Sequence, residues 1–297
     1  LALQPDFESE SELTRLLLEH RVQLVDRRRH PIPKALASRR YAETWLLAGV
    51  ERPNELKQSL SGRADELAVD FILQSMASRQ VDYQLAVFDM DSTLIQCEVI
   101  DELAYRAGVG VDVAEITERA MRGELDFNES FTQRLAMLQG LDESALADVA
   151  DTLPITEGLT ELMATLRGRG MRTAILSGGF NYFAERLKRR FGFDHVHANH
   201  LDIADGKVTG QVTTAIVNGE LKKHFLRTIA AEMGIKPEQV IAVGDGANDL
   251  PMLSAADLGV AFEAKPLVRR QAAYNINHVG LDGLLYLLGS ASETTSL

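Results

Sequence analysis

Short, largely apolar runs stand out from an otherwise mixed chain at Leu85-Ala-Val-Phe88, Thr173-Ala-Ile-Leu176 and Val240-Ile-Ala-Val243. Each is followed at once by Asp, Ser or Gly and then by a helix-like pattern. Successive side chains of a strand leave on opposite faces, so unbroken apolarity means burial on both, the mark of parallel strands in an α/β sheet covered by helices. Ligands of such sheets bind beyond the carboxyl ends of the strands. Asp89, Ser177 and Asp245 are therefore expected to converge on one crevice.

Roughly 80 residues separate the first two runs, far more than a crossover needs. Their apolar positions, among them Leu103, Ile116, Leu125 and Phe131, recur at helical spacing among charges, which predicts a helical lid over the crevice at about 95–155. Residues 203–216 read as a β-hairpin turning at Asp205-Gly206-Lys207. Before the first run the style changes. Ser11 to His20 reads as a helix, Arg21 to Val25 and Thr44 to Val50 as short strands, and Glu55 to Gln74 as helix then strand. The expected organisation is a small α+β domain over 1–80 and an α/β domain over 81–297 that carries the lid.

Composition narrows the classes. The chain has 297 residues, 45% hydrophobic and 25% charged, and contains no apolar stretch near the ~18 residues of a membrane span. No secretory pattern is visible over Leu1 to Glu10, and the single cysteine, Cys97, cannot form an intramolecular disulfide; both suggest a cytoplasmic setting. A formal charge of -12 argues against nucleic acid, whose phosphates are met by Lys and Arg. Arg27, Arg28 and Arg29, with Lys34, Arg39 and Arg40, form a local basic run that reads as a solvated face. A homodimer is compatible with the sequence.

The chemistry lies after the runs. Asp89-Met90-Asp91-Ser92-Thr93 places two carboxylates on a turning loop, an arrangement that alone would pass for a helix N-cap. Gly244-Asp245-Gly246-Ala247-Asn248-Asp249 adds two more at the same sheet edge. Clustered carboxylates repel unless a cation lies among them, and all-oxygen ligands suit a hard ion such as Mg2+. Ser177-Gly178-Gly179-Phe180 offers a hydroxyl and glycine-flanked amides at an expected helix start, suited to phosphate oxygens. Lys222, alone, would read as a surface residue.

In this order the segments DxDST, SGGF, a following Lys and GDGAND resemble the haloacid dehalogenase superfamily of phosphatases. From about Leu85 to Gly289 the chain is similar to its phosphoserine phosphatase family, including Glu98, the 117–127 stretch TERAMRGELDF and Arg134. The resemblance implies a haloacid dehalogenase-like, Rossmann-like sheet with an inserted helical cap and a small hairpin insert. It implies Mg2+-dependent hydrolysis of O-phosphoserine, the last step of serine biosynthesis, through a phosphoaspartate. Asp89 would be the nucleophile and Asp91 the acid and base; Asp89, Asp245 and the Asp91 carbonyl would hold the metal. Ser177, Gly178 and Lys222 would bind phosphate, and Glu98, Arg134 and Asn248 the rest of the substrate. Asp249 would support Lys222, and Met121 and Phe127, lid-core residues by default, would also wall the pocket. The rival readings are a related phosphatase or phosphotransferase acting on homoserine phosphate, and an amino-acid-sensing regulator with residues 1–80 as a loosely ACT-like domain.

Three further patterns are set aside. Gly244-x-Gly246 lacks the third glycine of a dinucleotide loop. His195, His197 and His200 have a zinc-like spacing that alternation on a strand or loop explains more cheaply. Cys97 reads as a small buried residue, not as a reactive thiol.

Overall fold

The computed structural model describes residues 2–3, 7–30 and 42–288, so Lys34, Arg39, Arg40 and Gly289 lie outside the described residues. The chain opens with β1 (Ala2–Leu3), α1 (Phe7–Glu19), β2 (Gln23–His30), β3 (Ala42–Ala48), α2 (Pro53–Leu67), β4 (Asp70–Phe71) and the short α3 (Met76–Arg79). The four strands form an antiparallel sheet in the order β2-β3-β1-β4. Leu13, Leu16, Leu17, Val22, Trp45, Leu56 and Leu60 form an apolar cluster of their own beside it.

Both strands read here are displaced from expectation, since β2 starts two residues later and runs to His30, and Arg21 is a left-handed turn residue with φ 55°. The displacement has an electrostatic cause. Arg27 and Arg29 sit on β2 because buried Glu43 on β3 accepts from Arg27 Nε at 2.6 Å and Arg29 Nε at 3.0 Å. This part of the basic run is thereby occupied within the sheet. Asp70, also buried, accepts the backbone N–H groups of Asn277 at 2.8 Å and His278 at 2.9 Å, fastening the N-terminal sheet to the C-terminal part of the chain.

After this come β5 (Leu85–Phe88), α4 (Val99–Ala107), α5 (Gly110–Met121), α6 (Phe127–Ala136), α7 (Ser144–Thr152), α8 (Leu159–Gly168) and β6 (Arg172–Phe180). There follow α9 (Asn181–Phe191), β7 (His195–Asn199), β8 (Leu201–Ala204), β9 (Lys207–Val212), α10 (Gly219–Glu232) and β10 (Val240–Gly244). The last elements are α11 (Leu250–Leu253), β11 (Leu258–Phe262), α12 (Pro266–Gln271) and β12 (Tyr274–Ile276). Six strands pair in parallel in the order β12-β11-β10-β5-β6-β7.

The three apolar runs are its central strands. Ala86, Phe88, Ile175, Ile241 and Val243 enter one apolar cluster, with Leu162 of α8 and Phe183 of α9. Leu85, Val87, Ala174, Leu176, Val240 and Ala242 enter another, with Leu226 of α10 and Met252 of α11. Alternate side chains thus feed cores on opposite faces, which is why these strands carry no polar face.

The lid is present as α4 to α7. Its two connections are pinned to each other by an antiparallel bridge between Ile95 and Ile155, with Gln96 N–H donating to Pro154 O at 2.8 Å and Thr156 N–H to Leu94 O at 3.1 Å. The hairpin β8–β9 turns at Asp205-Gly206, both at positive φ (52° and 72°), as a two-residue turn requires. It clasps the lid from the side: Gly140 N–H donates to Val208 O at 2.8 Å, Val208 N–H to Leu141 O at 2.9 Å, and Glu143 N–H to Gly206 O at 2.8 Å. Among the described residues no helix is long and apolar enough to cross a membrane.

Candidate active site

Asp89 and Asp245 follow two neighbouring parallel strands, Ser177 lies in the bulged end of a third, and the three meet at the carboxyl edge of the sheet. Asp89 N–H still donates to Val243 O at 2.9 Å, and the chain then leaves the sheet through Ser92, held at φ 55°. This left-handed residue turns the loop so that Asp91 comes back over the site. Asp91 Oδ1 accepts from Val99 N–H at 3.0 Å. A Cβ at Gly179 would fall on Asp91 Oδ2 and within 2.9 Å of Met90 Cε, so only glycine allows the Asp91 carboxylate to lie there.

Lys222 is completely buried, 0% exposed, where bulk odds would put a lysine on the surface. Asn218 caps α10 by accepting from Leu221 N–H at 3.1 Å, and one turn on Lys222 Nζ reaches inward, 2.8 Å from Asp89 Oδ1 and 2.7 Å from Asp249 Oδ1. Asp249 Oδ2 accepts from Gly246 N–H at 2.9 Å, so its carboxylate is oriented at both oxygens. Asp89, Asp245 and Asp249 bring carboxylate oxygens within 4.8 Å of one another.

This donor set fits a hard divalent cation. In the protein's own charges, burial and repulsion from Asp249 push the Asp89 carboxyl well above the usual range against the pull of Lys222, and push Asp245 up to about 7. Lys222 is held above its ordinary value because Asp249 and Asp89 outweigh the cost of burial. Carboxyls so raised mark a pocket with more negative charge than its ammonium balances, which a cation bound by oxygens would relieve. The Asp91 side chain stands apart from this group; burial and the nearby Glu98 raise it to about 8.

Ser177 Oγ accepts from Gly179 N–H at 2.9 Å. The segment runs into a helix start, but late: β6 continues, bulged, to Phe180, which is the N-cap of α9 beginning at Asn181. Ser177 and Gly178 therefore offer bulged strand-end backbone just ahead of the α9 N-terminus.

From the lid, α6 starts with a reciprocal cap in which Glu129 N–H donates to Asp126 Oδ1 at 2.8 Å and Asp126 N–H to Glu129 Oε2 at 2.9 Å. That start aims Phe127 at Gly178, whose Cβ would come within 2.9 Å of Phe127 Cζ. Arg134, two turns later, is half-buried, and its Nε is shielded from solvent without a hydrogen-bond partner among the described residues. Glu98, at the N-terminal end of α4, accepts from Ser92 Oγ at 2.9 Å. Asn248 is half-buried beside Gly246.

Met121 does not join the lid core. It is 67% exposed, since α5 buries Val113 and turns Ile116 and Ala120 partly inward, and the next residue along points away from that stripe. Two residues escaped the sequence reading. Thr93 Oγ1 donates to Asp245 Oδ1 at 3.1 Å, and its place inside the Asp89 motif was the available signal. Asn199 touches Gly178 from the neighbouring strand β7, 21 residues on in sequence, and no local pattern marks it. Of the patterns set aside, His197 stacks on Phe225 at 4.0 Å, and burial raises the Cys97 thiol to about 12.

The family model of haloacid dehalogenase-like hydrolases matches residues 83–257. A phosphoserine phosphatase of Archaeoglobus fulgidus is 41% identical over 239 residues, 80% of this chain and 70% of that protein. One of Vibrio cholerae is 47% identical over 207 residues, 70% of this chain and 63% of its own, so the chain spans less than two thirds of that relative. A haloacid dehalogenase family hydrolase of Salmonella enterica serovar Typhi superposes with a TM-score of 0.86 at 33% identity, covering 98% of both chains, residues before the family match included. A phosphoserine phosphatase solved as a phospho-aspartyl intermediate analogue superposes with a TM-score of 0.66 at 38% identity over 70% of this chain and 99% of its own. With the 89–93 loop, the buried lysine and the acidic triad in one crevice, and with these matches, the chain belongs to the haloacid dehalogenase-like hydrolases and groups among them with the phosphoserine phosphatases.

Proposed function

We propose that the protein hydrolyses O-phosphoserine to serine and phosphate through a phosphoryl-aspartate at Asp89. The observation that carries the substrate is Arg134, whose shielded Nε lacks a partner among the described residues, while Glu98, held by Ser92 Oγ, supplies the opposite charge. Phosphoserine differs from a generic phosphate ester in bearing one carboxylate and one ammonium, and each needs an opposite charge.

Asp89 attacks phosphorus in line, forming an acyl phosphate as the ester P–O bond breaks; Asp91 gives its proton to the departing serine oxygen. Asp91 is suited to this because burial and Glu98 keep it protonated near neutrality, at about 8. It then takes a proton from the water that attacks the phosphoaspartate, releasing phosphate and restoring Asp89. Ser177, Gly178 and Lys222 hold the transferring group's oxygens. Asp89, Asp245 and the Asp91 carbonyl would hold Mg2+, with Asp249 and Asn248 beside them, and when bound the ion would supply positive charge that offsets the repulsion between phosphate and carboxylate. Phe127 walls the pocket from the lid. Residues 1–80 act as a small accessory unit, which their separate apolar cluster supports. The chain acts in the cytoplasm.

Phosphate release from a panel of small esters, with Mg2+ and with chelator, tests this reading. Phosphoserine should be turned over best, chelator should silence release and Mg2+ should restore it, while Ca2+ should substitute poorly because its looser shell misplaces the carboxylates. Full activity in chelator would remove the metal, and preference for homoserine phosphate would change the substrate. Arg134→Ala should cost about 2 to 4 kcal/mol in kcat/KM for phosphoserine and leave an aryl phosphate nearly unaffected. Equal losses on both would mean that Arg134 holds phosphate or the lid.

A further inference from the structure

The two segments proposed to grip phosphate come from different parts of the chain. One is the loop 177–179, where β6 detaches from β7: the register passes from Leu176↔His197 directly to Phe180↔Asn199, so four steps on β6 face two on β7. The other is α10, which carries Lys222 and begins behind Val217 and Asn218. Asn199, the last residue of β7, is 0% exposed and stands between them. Its Nδ2 donates to Gly178 O at 2.7 Å, and its Oδ1 accepts from Val217 N–H at 2.8 Å.

We propose that Asn199 is a positioning residue that sets the spacing of the two phosphate-gripping arms, an inference that rests on the phosphatase reading. The bulge takes Gly178 out of the β6–β7 ladder, and the Asn199 amide replaces the missing main-chain donor. Its other end fixes Val217, next to the Asn218 that caps α10, and so the rotation at which Lys222 Nζ meets Asp89. A side-chain amide suits this place because one face must donate to a carbonyl and the other accept from an N–H. A hydroxyl is too short to span both, and a carboxylate has no donor.

The experiment compares the wild type with Asn199→Leu, which keeps the branching of the side chain and removes both bonds, and Asn199→Ser, which leaves room for one. Kinetics on phosphoserine and an aryl phosphate, the inhibition constant of inorganic phosphate and the unfolding temperature are read together. The expected result is a weakening of phosphate inhibition and a fall in kcat/KM of about 10- to 100-fold, the usual size when a ligand-orienting partner is lost, equal for both esters. Asn199→Ser should fall between Leu and wild type, and it carries the same readings if Leu prevents folding. A lowered unfolding temperature with an unchanged phosphate constant and KM would overturn the proposal by reducing Asn199 to a structural residue. A selective loss on phosphoserine would overturn it too, by assigning Asn199 to the serine moiety. A wild type inert toward every ester would instead remove the phosphatase reading, and calorimetric titration of phosphate into wild type and variants would still score the spacing role.

Discussion

Asp89→Asn is expected to abolish phosphate release, with kcat reduced on the order of 10⁴-fold or more, as when a covalent nucleophile is removed. The fold should survive. The amide is nearly isosteric, and its oxygen can still accept from Met90 N–H and Lys222 Nζ, now 2.7 Å and 2.8 Å from Asp89 Oδ1. Removing one of the mutually repelling buried carboxylates should raise the unfolding temperature in chelator, not lower it. Release assays and thermal unfolding read the two effects, and mass spectrometry excludes reversion by deamidation. A folded variant with appreciable turnover would defeat the covalent mechanism.

Lys222→Met should lose on both counts. Its ammonium is completely buried between Asp89 and Asp249, and removing one partner of a buried charge group leaves the other uncompensated, at a cost of about 3 to 5 kcal/mol. Turnover should fall on the order of 10³-fold with the loss of a charged group facing the phosphoryl oxygens. Denaturant unfolding in chelator and in Mg2+ separates the effects, since a bound cation should return part of the stability and little of the activity. Unchanged stability in chelator would mean that Lys222 does not balance the carboxylates.

Much of this was legible in the chain because burial on two faces leaves a strong local mark. The runs ending at Phe88, Leu176 and Val243 are the central strands, and the polar residues that follow them meet as expected. β7, β11 and β12 carry weaker marks. The edge strand β7 bears polar His195 and His197, β12 has three residues, and β11 is apolar but runs into Glu263 without the Asp, Ser or Gly that flagged the others. Lys222 was found through resemblance alone, since nothing near it in sequence reports that α10 turns it inward. Asn199 lay beyond reach because both of its partners are about 20 residues away, joined only by folding. β2 was misplaced because ion pairing to Glu43, which leaves no apolar periodicity, holds it to the sheet.

The lid's two fastenings also limit how the site can open. A rigid body secured at two places keeps one freedom, rotation about the line through them; here the places are the Ile95–Ile155 ribbon and the hairpin seam at 140–143. Points near such an axle travel least. Ala136 abuts Gly210 at that seam, within 3.2 Å of where a Cβ would stand, and Arg134 is two residues before it. The backbone that carries Arg134 would thus move little through each swing, and if Arg134 takes the carboxylate as proposed, it would serve as a fixed post that is in place before the roof comes down.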